Sequence, residues 1–140
     1  MDKKVLLATL AGGIVNFVLG WVVYGMLLQG FSAANAGSAS GVERIPEEMA
    51  MHWIFVGCVA HALLLTLVFS RWTVISTFKG GATAGAWMGF LLSLGYYMVN
   101  LGTTHLFNLT AALTFPAVDA VTSAIMGGVI GWVLGYAQRS

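Results

Sequence analysis

Read from its residues alone, the chain is all-α: a polytopic membrane four-helix bundle with both termini on the cytoplasmic side. Three observations lead there. Of 140 residues, 59% are hydrophobic and only 8% are charged, against about a quarter charged in an ordinary soluble domain. The mean hydropathy is +0.87. Apolar residues gather in four long runs, at 5–28, 49–70, 80–103 and 117–137, each close to the roughly 20 residues that cross a bilayer. The basic residues between these runs are sorted by side.

The first run follows Asp2-Lys3-Lys4. It exceeds the apolar core of a secretion signal, about 15 residues at most, so it reads as a retained first span. The connection at 30–46 is rich in Ser, Ala and Gly and too short to build a core, which leaves one transmembrane domain, 1–140. Pro46-Glu47-Glu48 suits the start of the second helix, because proline is tolerated in a first turn and carboxylates favour the positive end of the helix dipole. Trp53 and Trp72 bracket that helix about 28 Å apart, close to one hydrocarbon thickness, as interfacial anchors do.

The third run carries Gly81, Gly85 and Gly89 at intervals of one helical turn. The fourth is expected to begin after Phe115-Pro116, and it carries Gly127, Gly131 and Gly135. Residues 104–116 would then lie at the interface or dip into the membrane. Gly12 and Gly20, with Asn16 between them, repeat the spacing in the first run. Lipid gives helices no hydrophobic reason to associate, so small residues that admit a neighbouring backbone mark contact faces, within one bundle or between subunits. The first and fourth runs also echo each other: residues 12–21, from Gly12-Gly13 to Gly20-Trp21, align without gaps to residues 127–136, from Gly127-Gly128 to Gly135-Tyr136. Either shared packing chemistry or an inverted repeat of the transporter kind accounts for this.

Lys3, Lys4, Arg71, Lys79 and Arg139 share one side of a four-span chain, and Arg44 stands on the other with Glu43, Glu47 and Glu48. Basic residues mark the cytoplasmic side, which makes the first and third loops extracytoplasmic. The lone Cys58 rules out an intrachain disulfide, and a net charge of +1 suits no nucleic-acid partner.

Polar groups inside a membrane are costly, and so they are the first candidates for function. Counting from each span's midpoint at about 1.5 Å per residue, Asn16, His61 and Ser93 fall near the midplane. Tyr24, His52, Asn100 and Asp119 fall roughly 11 to 13 Å further out. At about 100° per residue His52 and His61 point opposite ways, so only one faces the bundle; His61 is the buried one. Gly89, Ser93, Tyr97, Asn100 and Thr104 form a polar stripe on the third span, and Asp119 and Ser123 continue the glycine ridge of the fourth. The candidate ligand or ion-binding residues are therefore Asp119, Asn100, Tyr24, His52, His61, Asn16 and Ser123. Plainer readings stand beside these. Asp119, just after Pro116, would complement the helix dipole; His61 and Asn16 would hydrogen-bond neighbouring helices; Tyr24 and Trp21 would be belt or packing aromatics. No metal is expected, because no His-x-x-x-His or clustered spacing occurs, and no cofactor motif is present.

The run from Asn16 through Gly20-Trp21 and Tyr24-Gly25 to Leu27-Leu28 resembles the first span of small bacterial membrane proteins known as the domain of unknown function 1761 family. Met126-Gly127-Gly128-Val129-Ile130-Gly131-Trp132 is similar to its last span. The resemblance covers the first and last spans. It implies four helices in a bacterial inner membrane and carries over no catalytic residue.

Three functions follow as expectations. The first is a membrane protein without enzymatic chemistry, a homo-oligomer or accessory subunit of a larger membrane assembly, motivated by the glycine ridges. The second is a small transporter or channel with an outward-facing polar pocket near Asp119. The third is a histidine-based cofactor carrier, which lacks a nucleophile and base pair, a phosphate loop and a Cys-x-x-Cys.

Overall fold

A computed structural model describes residues 2–139. The described chain is helical: α1 (Lys3–Val22), α2 (Gln29–Ala34), α3 (Met51–Leu67), α4 (Phe78–Thr103) and α5 (Leu109–Arg139). Two wider π-helical turns extend this scheme, Val23–Leu27 after α1 and Val68–Trp72 after α3. Lys3–Leu27, Met51–Trp72 and Leu109–Arg139 are each long and apolar enough to cross a membrane. Helix α4 has 26 residues but is less apolar, because Gly, Ser, Thr, Tyr and Asn replace aliphatic side chains along it.

Several expected boundaries move. Pro46–Glu48 forms a separate 3-10 turn, and α3 starts only at Met51. The largest shift concerns α5, which begins at Leu109 with Pro116 inside it, so residues 109–116 are helix. The start signal is Asn108, whose Oδ1 accepts the Ala111 N–H at 2.9 Å. An asparagine N-cap satisfies a donor that the first turn leaves free. Pro116 removes the bond that the Ala112 carbonyl would accept, a loss that helices in a packed membrane bundle tolerate.

Helix α5 is the hub and packs along α4, α1 and α3. Its contact with α4 is backbone against backbone. A Cβ at Gly81 would run into the Gly127 carbonyl, one at Gly85 into the Ser123 carbonyl with Gly127 Cα at 3.1 Å, and one at Gly89 into the Ser123 side chain. These contacts fix an antiparallel register in which Gly81, Gly85 and Gly89 face Gly127, Ser123 and Asp119. Gly131 and Gly135 close against the Thr77 and Ser76 carbonyls. On α1, Gly12 faces Ile130 and Ala62, and Gly13 faces Val59. Gly20 is different: nothing lies within 4 Å of where its Cβ would stand.

The apolar core, Ala8, Ala62, Leu65, Phe69, Met126, Ile130 and Leu134, joins α1, α3 and α5 towards the end that carries the chain termini. Large apolar side chains also cover the outside, among them Leu7, Val18, Trp53, Trp87, Leu91, Val121 and Trp132. Apolar outer faces of this extent suit lipid rather than water. At the opposite end the two loops are stitched together. Gly37 N–H donates to the Leu106 carbonyl and Ala39 N–H to the His105 carbonyl, both at 3.0 Å, and Asn108 N–H donates to the Asn35 carbonyl at 3.1 Å.

Candidate functional site: a carboxylate held by three helices

Asp119 lies about three turns inside α5. Both its oxygens accept hydrogen bonds from other helices: Tyr24 Oη–H donates to Oδ1, and Ser93 Oγ–H donates to Oδ2. Tyr24 stands in the π turn that ends the first long helix. An extra residue in a helical turn re-aims the side chains beyond it, and π turns recur at functional sites for that reason. Ser93 reaches Asp119 because the glycine contacts set α4 close against α5. The carboxylate thus ties α1, α4 and α5 together at one point.

Asp119 also lines a cavity of about 380 Å³ with Asn16, His61, Ser93, Tyr97 and Ser123. His61 presents a buried Nε2 that finds no hydrogen-bond partner among the described residues. Buried polar atoms are nearly always paired, so this nitrogen beside the carboxylate cavity is an exception. Thr122 is occupied locally, its Oγ1 donating to the Asp119 carbonyl at 3.2 Å.

Above this cavity lies a second one of about 660 Å³, walled by side chains that include Tyr24, Trp53, Tyr96, Tyr97, Phe107 and Phe115, with Glu43 and Arg44 among its lining. The two share Tyr96 and Tyr97. Between them the rings interlock. Tyr97 meets Phe107 and Phe115 with centroids 5.2 Å apart in each pair, Phe115 meets Tyr24 at 5.7 Å, and Phe31 meets Phe115 at 5.8 Å. Such edge-to-face and tilted pairs contribute roughly 0.5–1.5 kcal/mol each beyond area burial. A cluster of aromatic rings therefore lies between this larger cavity, the vestibule, and the Asp119 cavity.

Of the residues singled out in the sequence, Tyr24, Asp119, Asn16, His61 and Ser123 come together here. Two do not. His52 is exposed beside Trp53, with ring centroids 5.1 Å apart. Asn100 turns its amide back to its own helix and donates to the Tyr96 carbonyl at 2.9 Å. The depth assignment needs correcting too, since Asp119 sits level with Ser93 rather than a layer further out. Its position well inside α5 also removes the helix-dipole reading. Residues not counted as ligands in the sequence are Ser93 and the ring pair Tyr97 and Phe115. The polar stripe on α4 signalled the first two; nothing local signalled Phe115. Cys58 is a half-buried free thiol. Among the described residues no three His, Cys, Asp or Glu side chains group to hold a metal ion. No protein-family model, curated protein or solved structure matches the chain.

Proposed function

We propose that this chain is a small multi-pass membrane carrier or channel in which Asp119 handles a proton, a cation or a small cationic solute. The single observation that supports it most is the carboxylate gripped by Tyr24 and Ser93 from two other helices, beside a cavity that also holds Asn16 and an unpaired His61 nitrogen. A carboxylate at membrane depth is costly unless it is paired or functional. Here its pairing partners are hydroxyls, which a bound cation can replace or supplement.

In this proposal all four long helices cross the membrane, α4 shielded along one side by α5. The termini face the cytoplasm, on the side of Lys3, Lys4, Arg71, Lys79 and Arg139, and the first and third loops lie outside. The likeness of the first and last spans to the domain of unknown function 1761 family favours a bacterial inner membrane. The decisive measurement is flux of protons or monovalent cations into liposomes containing the purified protein. Flux that falls at least tenfold in Asp119→Asn is the expected result. Equal flux in the variant, or none above empty liposomes in the unaltered protein, removes the carrier reading.

A second reading, an oligomerising subunit of a membrane assembly, draws support from Gly20 and Gly57, where an added Cβ would meet nothing within 4 Å. Small residues without a neighbour leave room for another helix to approach closely. A strictly monomeric particle after mild crosslinking in native membranes would count against it.

A further inference from the structure

The vestibule has a composition that the Asp119 cavity does not require. Its wall is built from aromatic side chains, and at about 660 Å³ it falls within the roughly 300–1,000 Å³ that enclose a drug-sized ligand. Ring faces carry negative charge density, and a cation within about 6 Å of a ring centroid is attracted, most strongly where water is excluded. Of the charged side chains, Glu43 and Arg44 both line the vestibule, and the segment that supplies them is acidic overall. Residues 43–48 carry Glu43, Glu47 and Glu48 against one Arg44, whose guanidinium donates to the Glu48 carbonyl at 3.4 Å. The next carboxylate inward is Asp119. An anion would meet carboxylates at both levels, and a neutral solute would gain nothing from them. A bare metal cation wants several oxygen ligands at short range, which this aromatic wall does not gather.

We infer that the vestibule binds a hydrophobic organic monocation, of the quaternary ammonium or phosphonium type, among the rings of Trp53, Tyr96, Tyr97 and Phe115, with Glu43 at its rim. This substrate class rests on the reading of Asp119 as the cation-handling group one step further in. The apolar shell of such an ion matches the rings, and its charge matches the carboxylates. Trp53 is two-thirds exposed, at 67%, and its ring lies beside that of His52.

Binding is measured by calorimetry on the full chain in lipid discs, with empty discs as blank. The probes are tetraphenylphosphonium and tetraphenylborate, ions of one shape and opposite charge. Tetraphenylphosphonium is expected to bind saturably and tetraphenylborate only to partition as it does into empty discs. Trp53→Ala and Tyr97→Leu should each raise the phosphonium Kd about threefold to thirtyfold, and Glu43→Gln about twofold to fivefold at low salt. Trp53→Ala and Glu43→Gln alter exposed side chains, so they separate a lost site from a lost fold. Equal binding of both probes, or a phosphonium Kd unmoved by Trp53→Ala and Glu43→Gln, overturns the inference. So does cation flux that depends on Asp119 with no saturable phosphonium binding, an outcome that leaves the carrier reading standing. Phosphonium binding without any Asp119-dependent flux has the opposite meaning: the vestibule site stands and the carrier reading falls.

Discussion

Asp119 is worth more to the fold than a single hydrogen bond, because its two acceptors serve donors on two different helices. Interhelical hydrogen bonds in membranes contribute about 0.6 kcal/mol on average, and those to charged groups in proteins about 1.5–3 kcal/mol. Tyr24→Phe and Ser93→Ala are therefore each expected to cost about 1–2 kcal/mol, read from unfolding in a detergent titration. Asp119→Ala strands both hydroxyls at once and should cost more than either. The double variant Tyr24→Phe with Ser93→Ala should fall short of or exceed the sum of its singles, since they share one acceptor group. Strict additivity would mean that the carboxylate does not couple them. The residue types were legible in the sequence: an ionisable side chain in an apolar run singles itself out, and so does a tyrosine near a span's end. What could not be read was who bonds whom. That depended on the π turn at Val23–Leu27, which breaks the 100° count, and on a register error introduced by placing the start of α5 at Pro116.

At the scale of elements, the glycines of the ridges at 12–20, 81–89 and 127–135 divide into those that are occupied and one, Gly20, that is not. Gly85 and Gly127 admit each other's backbones, and a methyl group at either meets an atom that cannot rotate away. Gly85→Ala and Gly127→Ala are expected to push α4 and α5 apart at about 1–3 kcal/mol each. Gly20→Ala meets nothing within 4 Å, and the better helix propensity of alanine predicts a neutral change or a gain of up to about 1 kcal/mol. Unfolding midpoints of the three variants in one detergent test this, and a Gly20 variant as damaged as the Gly85 one would contradict the packing. The sequence spacing treated Gly12, Gly20 and the α4 and α5 glycines alike, because periodicity says which residues share a stripe and not what the stripe faces. It also aligned Gly20 with Gly135. In the fold these have unlike surroundings, open space for one and the Ser76 carbonyl for the other. The boundary of α5 was missed for a related reason. Proline is a familiar helix-start residue, and Asn108, the true cap, is eight positions earlier in a segment that composition alone made look like a loop.

For the whole molecule, composition and hydropathy were enough to read an all-helical chain with apolar outer faces, since those depend on sums over many residues. Sidedness depends on a handful of charges and is open to direct test. In a Cys58→Ser background, a cysteine at Ser38 should react with a membrane-impermeant maleimide on intact cells, and one at Gln138 only after permeabilisation. Reversed labelling would invert the orientation.

The stitched loops have a kinetic consequence. Gly37 can sit against the His105 carbonyl only because it lacks a side chain, and the Asn108 amide adds a bond to Asn35 Oδ1 at 3.0 Å. The side of the vestibule lined by Ala36, Leu106 and Phe107 is thus tied across the two loops. In the proposed carrier a solute would pass this side by rotation of aromatic rings, a motion faster by orders of magnitude than the microsecond-to-millisecond separation of helices. Replacing Gly37 with alanine should loosen the tie and widen the range of solute cross-sections admitted before it touches the carboxylate below.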